Sequence, residues 1–175
     1  MITSALQTNN SENTWKTSTK NLRFKQTQVE TSILMVCLGN ICRSPLAEGI
    51  LKSKLPSSHF HVDSAGTAGF HIGKSPDHRS IKVAANHGID ISHQQARAFQ
   101  TVDFNRFDRI YVMDRNNLKN VISLAQTAKD RERVSLILEN EEVPDPYYGE
   151  ESDFEMVFDL LNNACEKIKS DLINP

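Results

Sequence analysis

Ile33-Leu34-Met35-Val36-Cys37 is an unbroken apolar run, and by Ser44-Pro45 the chain has entered an amphipathic helical period. A run this short with no polar alternation predicts a strand buried on both faces, the kind found in parallel sheets. Ser44 is placed as N-cap and Pro45 at the first helical position, with Leu46, Ala47, Ile50 and Leu51 recurring at helical spacing through Leu55. A strand covered on both sides needs a layer of helices on each face, so this one unit already selects a layered α/β architecture.

The rest of the chain repeats the alternation. Phe60 to Asp63 predicts a second strand, followed by a loop over Ser64 to Gly69, and Ser75-Pro76 opens a helix that closes near His87-Gly88. Arg109–Met113 and Val134–Leu138 predict two more strands, separated by a helix over about 114–125. Phe154, Val157, Phe158, Leu161, Ala164, Cys165, Ile168 and Leu172 share one face of a long last helix. The expected fold is a doubly wound, mostly parallel sheet of about four strands with helices on both faces. Ligands in such folds sit beyond the carboxyl ends of the strands.

At 175 residues there is room for one such domain. Residues 1 to 31 are set apart by their Thr, Ser, Asn and Gln, with Trp15, Leu22 and Phe24 as isolated apolar residues and no helical or strand period. Too little apolar area is available there to offset chain entropy, so 1–31 is expected to be a disordered N-terminal extension and 32–175 the domain. Only Arg23 in that stretch is an arginine, which argues against a transit peptide. A net charge of −2 excludes a polybasic nucleic-acid binder, and no apolar run has the length of a membrane span. Three cysteines do not make the paired framework of a small secreted domain, so a reducing, cytoplasmic setting is expected.

The connection Cys37-Leu38-Gly39-Asn40-Ile41-Cys42-Arg43-Ser44-Pro45 carries the chemistry. A loop curling from strand to helix turns backbone N–H groups inward, and with the helix dipole it cradles a tetrahedral oxyanion. Gly39 and Asn40 are residue types that tolerate a left-handed backbone. Arg43 can hold two anion oxygens with its planar fork. Cys37 begins the curl beneath the anion, where N–H groups and a hydrogen bond from Ser44 favour thiolate over thiol. Cys37 and Cys42 do not make a zinc site, because no second cysteine pair exists, and their spacing is wider than a dithiol redox motif.

Cys37 to Pro45, Asp63-Ser64-Ala65-Gly66-Thr67, Asn86-His87-Gly88-Ile89 and Asp145-Pro146-Tyr147-Tyr148 occur in the order and approximate spacing of the low-molecular-weight protein tyrosine phosphatases, which this sequence resembles over about 32–173. The resemblance implies hydrolysis of phosphotyrosine in proteins through a cysteinyl phosphate, with no metal or other cofactor. Cys37 would be the nucleophile, Arg43 the anion clamp and Asp145 the general acid and base. Leu38, Gly39, Asn40, Ile41 and Cys42 would hold the phosphate through the loop, with Phe70, Tyr147 and Tyr148 as aromatic walls. Bulky Ile41 resembles tyrosine phosphatases, whereas relatives acting on arginine phosphate carry threonine there. Ser44 would donate to the thiolate, Asn40 and His87 would brace the loop, and Asp114 would lie near its base. Asn40, His87 and Asp114 also have plain readings: a turn residue, a helix-end residue and an N-cap respectively. Cys42 matches a cysteine that traps the oxidised nucleophile in several relatives, whereas Cys165 reads as core.

Two other functions are open from the sequence. One is thiol-dependent arsenate reduction on the same scaffold, which wants two further redox cysteines; the other is a non-catalytic phosphotyrosine-binding module, which needs neither nucleophile nor acid. The expected partner is a tyrosine-phosphorylated protein or peptide, with no nucleic acid and no membrane, and the chain itself a monomer or weak homodimer.

Overall fold

Four strands make one parallel sheet in the order β2-β1-β3-β4 in the computed structural model, which describes Met1 and residues 31–174. They are β1 (Thr31–Cys37), β2 (Phe60–Gly66), β3 (Arg109–Val112) and β4 (Val134–Leu136). The helices between and after them are α1 (Arg43–Lys54), α2 (His78–Asn86), α3 (Asp103–Arg106), α4 (Arg115–Ser123), α5 (Ala128–Glu132) and α6 (Glu151–Ile173). Thr31, grouped with the extension on composition, is the first residue of β1; the expected disorder of the extension otherwise lies outside the described residues, apart from Met1.

β1 is central, and its side chains alternate between two cores. Ile33, Met35 and Cys37 pack with Leu46, Ile50, Phe154, Val157 and Leu161 of α1 and α6. Leu34 and Val36 pack on the other face with Phe104, Phe107, Val121 and Val134. Helices therefore cover both faces, as the uninterrupted apolar run requires. Each of these fully buried aliphatic side chains contributes about 1.5–3 kcal/mol relative to exposure. The pattern along α6 is reproduced, with Phe154, Val157, Phe158, Leu161, Ala164, Cys165 and Ile168 buried. Cys165 donates weakly to the Ala47 carbonyl at 3.7 Å, across the contact between α6 and α1.

The strand order creates a switch point. From β1 the chain crosses to β2 on one side, and from β2 it returns past β1 to β3 on the other. The carboxyl end of β1 faces the crevice where connections diverge, the usual ligand position in open α/β sheets.

Several boundaries differ from expectation. β2 runs on to Gly66, because Ser64, Ala65 and Gly66 pair with Met35, Val36 and Cys37 of β1 instead of forming a loop. α2 begins at His78, capped by Asp77, whose carboxylate accepts from the Arg79 N–H at 2.9 Å. Its end is as expected, since Gly88 adopts φ +75°, a conformation open to glycine at little cost. α3 and α5 are short helices absent from the expected elements; they are too brief to show a hydrophobic period, although α5 carries a capping box from Thr127 to Asp130.

Candidate active site

α1 starts two residues earlier than expected, at Arg43 with Cys42 at the N-cap position, so Ser44 is not the cap and Pro45 not the first helical residue. The Ser44 hydroxyl is drawn elsewhere: Oγ lies 3.0 Å from Cys37 Sγ and accepts from Asn40 Nδ2 at 2.9 Å. No side chain caps the helix and its first turn holds no acidic residue. Its N–H groups and positive dipole end are therefore left to an external anion.

The loop is held from outside by its carbonyls. Those of Cys37 and Leu38 accept from the N–H groups of Thr67 and Ala68 at 2.8 and 2.9 Å, and that of Ile41 accepts from Asp77 at 2.7 Å. In a trans peptide the next N–H points opposite to the carbonyl, so those of Leu38, Gly39 and Cys42 turn toward the concave side. The Asn40 N–H reaches Cys37 Sγ at 3.2 Å. The Ser44 hydroxyl lies against the same sulfur at 3.0 Å.

Asn40 makes the curl possible. Its φ is +56°, whereas Gly39, expected to share the left-handed role, is not left-handed. A Cβ on Gly39 would come within 3.0 Å of the His71 ring, so that side chain would have to give by a few tenths of an ångström. The Asn40 amide is buried and donates to both Ser44 Oγ and Ser64 Oγ, while its oxygen accepts the Arg97 N–H at 2.9 Å. Ser64 in turn donates to Glu48 at 2.5 Å.

His87, expected to brace this loop, does not. It caps the end of α2, with Nε2 2.5 Å from Glu155 and its ring stacked on Phe158 at 4.0 Å. The bracing falls to Ser64, Glu48 and the Arg97 backbone. With Lys52 at i+4, Glu48 has the sequence signature of a solvated helix face, and the turn-like composition of Ser64-Ala65-Gly66 makes Ser64 read as part of a loop.

Arg43 is 2% exposed. Its Nη1 donates to Asp114 at 2.7 Å and to the Val143 carbonyl at 3.1 Å, and its Nη2 to Asp145 at 3.0 Å. Burial works against its charge, yet the sulfur of Cys37 and the carboxylates of Asp145 and Asp114 outweigh it and raise its pKa further. Asp114 serves both of its readings: Oδ1 caps α4 through the Asn117 N–H at 2.7 Å and Oδ2 holds Arg43. Val143 is anchored to the end of β3 by its N–H on the Met113 carbonyl at 2.8 Å, which brings Asp145, two residues on, to the site. The Asp145 carboxylate also accepts from the Tyr147 N–H at 3.2 Å.

These residues open onto a cleft of about 380 Å³ lined by Cys37, Leu38, Gly39, Ile41, Cys42, Arg43, Phe70, His71, Asp145, Tyr147 and Tyr148. Asn40, Ser44, His87 and Asp114 are the expected site residues outside that lining. His71 was not among them, since a lone histidine beside Phe70 carries no spacing signal. Cys37 lies at the bottom, 3% exposed, while Phe70 and Tyr148 stand at the rim, 78% and 97% exposed. The Tyr147 and Tyr148 rings meet edge to face at 4.9 Å. Burial, and then the Asp77 carboxylate, push the Cys42 thiol up to about 12. Burial likewise raises Cys165 to about 12, far from any cleft lining. Among the described residues no three His, Cys, Asp or Glu side chains gather as a metal site.

Fold and site together define an α/β protein that can hold a tetrahedral oxyanion directly above a buried sulfur. Residues 32–174 match the family model of the low molecular weight phosphotyrosine protein phosphatases, and the chain belongs to that family. It is 38% identical over 148 residues to the human low molecular weight phosphotyrosine protein phosphatase, covering 79% of this chain and 93% of the human one. Over 144 residues it is 35% identical to the low molecular weight protein-tyrosine-phosphatase of Streptomyces coelicolor, covering 75% and 87%. A crystal structure of a protein tyrosine phosphatase from Entamoeba histolytica superposes with a TM-score of 0.77 at 34% identity, covering 81% of this chain and 96% of that one. Wzb of Vibrio vulnificus, solved in complex with benzylphosphonate, gives 0.75 at 29% identity, covering 81% and 98%.

Proposed function

We propose that this chain hydrolyses phosphotyrosine in proteins by two in-line displacements at phosphorus, with the roles divided among Cys37, Arg43 and Asp145. Cys37 Sγ attacks, forming the S–P bond as the P–O bond to the tyrosine breaks, and Asp145 gives its proton to the departing phenolate oxygen. Water then attacks the cysteinyl phosphate, losing a proton to Asp145; the S–P bond breaks and orthophosphate leaves. The inward N–H groups and the Arg43 guanidinium stabilise the charge on the equatorial oxygens, and no metal takes part.

One observation carries the reading: Cys37, Arg43 and Asp145 line a single cleft, with the carboxylate already on the guanidinium at 3.0 Å. A mere phosphate-binding module needs neither sulfur nor acid. Arsenate reduction is disfavoured by Cys165, the remaining thiol, which is fully buried between α6 and α1. The depth of the sulfur below Tyr147, Tyr148 and Phe70 suits a phenyl phosphate, whereas a serine phosphate is too short to reach it. Substrates are taken to be tyrosine-phosphorylated proteins or peptides, and the chain a monomer or weak homodimer in the cytoplasm. Three free cysteines support that compartment, and no helix of the described residues is long and apolar enough to cross a membrane. Residues 32–175 are taken as the catalytic domain and 1–31 as an extension outside it.

The test is steady-state hydrolysis of phosphotyrosine and phosphoserine peptides and of aryl phosphates. Cys37→Ser is expected to abolish turnover. Asp145→Ala should lower kcat/KM by about 10²-fold or more for phenyl phosphate, and far less for p-nitrophenyl phosphate, whose phenolate leaves without a proton. Equal losses for the two esters would remove Asp145 from the acid role, and equal rates on the two peptides would remove the aromatic slot. Loss of activity with a chelator would contradict the metal-free steps.

A further inference from the structure

Arg79, in the first turn of α2, is not itself among the residues that line the cleft, yet it makes two hydrogen bonds to carbonyls of the acid-bearing turn. Its Nη2 donates to the Tyr147 carbonyl and its Nη1 to the Gly149 carbonyl, both at 2.9 Å. The Asp77 carboxylate holds the guanidinium from the other side, accepting from Nε at 3.0 Å and from Nη2 at 2.9 Å. Below it the Phe154 ring lies 4.3 Å from the guanidinium carbon. The planar fork is thus fixed in position and orientation, which a lysine could not reproduce.

Both ends of this clamp reach catalytic parts. The Asp77 N–H donates to the Ile41 carbonyl at 2.7 Å, so the residue that grips Arg79 also grips the phosphate loop. Tyr147, whose carbonyl Arg79 holds, donates its N–H to the Asp145 carboxylate at 3.2 Å. A continuous path therefore runs from phosphate loop to Asp77, to Arg79, to the Tyr147 peptide, to the acid. The geometry points to Arg79 as a positioning residue that sets the Asp145 carboxylate at its working distance from the phosphate loop.

Arg79 acts through Asp145 and not on the phosphate, and this inference rests on the proposed acid role. Releasing the Tyr147 carbonyl lets the turn shift, and a shift of about 1 Å in a catalytic group costs up to 10²-fold. Proton donation is the step affected, so the loss should depend on the leaving group. A merely structural staple would lower activity equally for every substrate.

The experiment measures kcat/KM for phenyl and p-nitrophenyl phosphate in wild type, Arg79→Gln, Arg79→Lys, Asp145→Ala and the double variant Arg79→Gln/Asp145→Ala, with Tm for each. Arg79→Gln is expected to lose roughly tenfold or more on phenyl phosphate and little on p-nitrophenyl phosphate. Arg79→Lys, which cannot span two carbonyls, should resemble it. In the Asp145→Ala background the second substitution should cost nothing further, because the group it positions is gone. Equal losses on both esters, or losses that multiply in the double variant, overturn the inference. If Arg79→Gln does not fold, Arg79→Lys carries the same two comparisons. Wild-type hydrolysis of both esters without leaving-group dependence in Asp145→Ala would instead overturn the acid assignment, so the two failures are told apart.

Discussion

Asn40 combines two properties that no other residue type supplies together. Its backbone sits at φ +56°, where side chains other than Asn, Asp and Gly are strained, and its amide joins Ser44, Ser64 and the Arg97 peptide behind the loop. Substitution can separate the two. Asn40→Gly keeps the backbone and loses the amide; Asn40→Ala loses both. The alanine variant should be less stable than the glycine variant by about 1–2 kcal/mol, the penalty for a Cβ in the left-handed region. Both should lose comparable activity, since the Ser44 hydroxyl beside Cys37 loses its partner in each. Denaturant unfolding and kcat/KM on the two proteins check this; equal stabilities would mean the loop relaxes to a different backbone. The residue types were legible in the sequence because each bears its chemistry on its face: a thiol, a guanidinium, a residue tolerant of positive φ. Their partners were not, since Ser64 and Glu48 are ordinary residues until the fold brings them within 2.5 Å.

The phosphate loop and β2 approach so closely that one element carries the other. A Cβ on Gly66, the last residue of β2, would lie 2.7 Å from the Leu38 carbonyl oxygen and 3.0 Å from the Asn40 nitrogen. Both are backbone atoms and cannot swing aside, so Gly66→Ala must displace the loop from the strand. Overpacking of this kind costs about 1–3 kcal/mol. The activity loss should exceed what the lower Tm accounts for at assay temperature, and inhibition by inorganic phosphate should weaken in parallel, because the N–H cradle moves as a unit. Unchanged phosphate inhibition would show that the loop holds its shape independently of β2. Elements with a long hydrophobic period, β1, α1 and α6, could be read from the sequence. α3 and α5, each a turn or so long, have no period to read, and the end of β2 was hidden because Ser64-Ala65-Gly66 has turn-like composition.

Across the molecule, distant segments are joined by carboxylates whose charged form the fold favours. Burial raises Asp77, but the hydrogen bonds from Arg79 outweigh it and leave its pKa below the ordinary 3.8. Asp108 is also lowered, by the hydroxyl and N–H of Ser32 at 2.7 and 2.9 Å, a contact between the starts of β1 and β3. A depressed folded-state pKa contributes stability that is fully present above the unfolded value of 3.8 and is lost as pH falls through the lower folded value. Tm should therefore drop more steeply in wild type than in Asp77→Asn/Asp108→Asn as pH falls from about 5 to about 2.5, the two curves converging at the acid end. Parallel curves would mean that neither carboxylate is linked to folding.

By itself the amino-acid order determined the layered α/β class, the unit of strand, loop and helix, and the identity of the chemical groups, because local periodicity and side-chain chemistry act over a few residues. Only the tertiary structure decided which groups meet. Asp145 reaches Arg43, 102 positions away, because Val143 pairs with the end of β3, and Arg79 grips the Tyr147 peptide because α2 packs against the start of α6. The same packing turned His87 toward Glu155 and Phe158 and away from the loop it was expected to brace. Such contacts depend on how whole elements close on one another, and no short stretch of sequence encodes that closure.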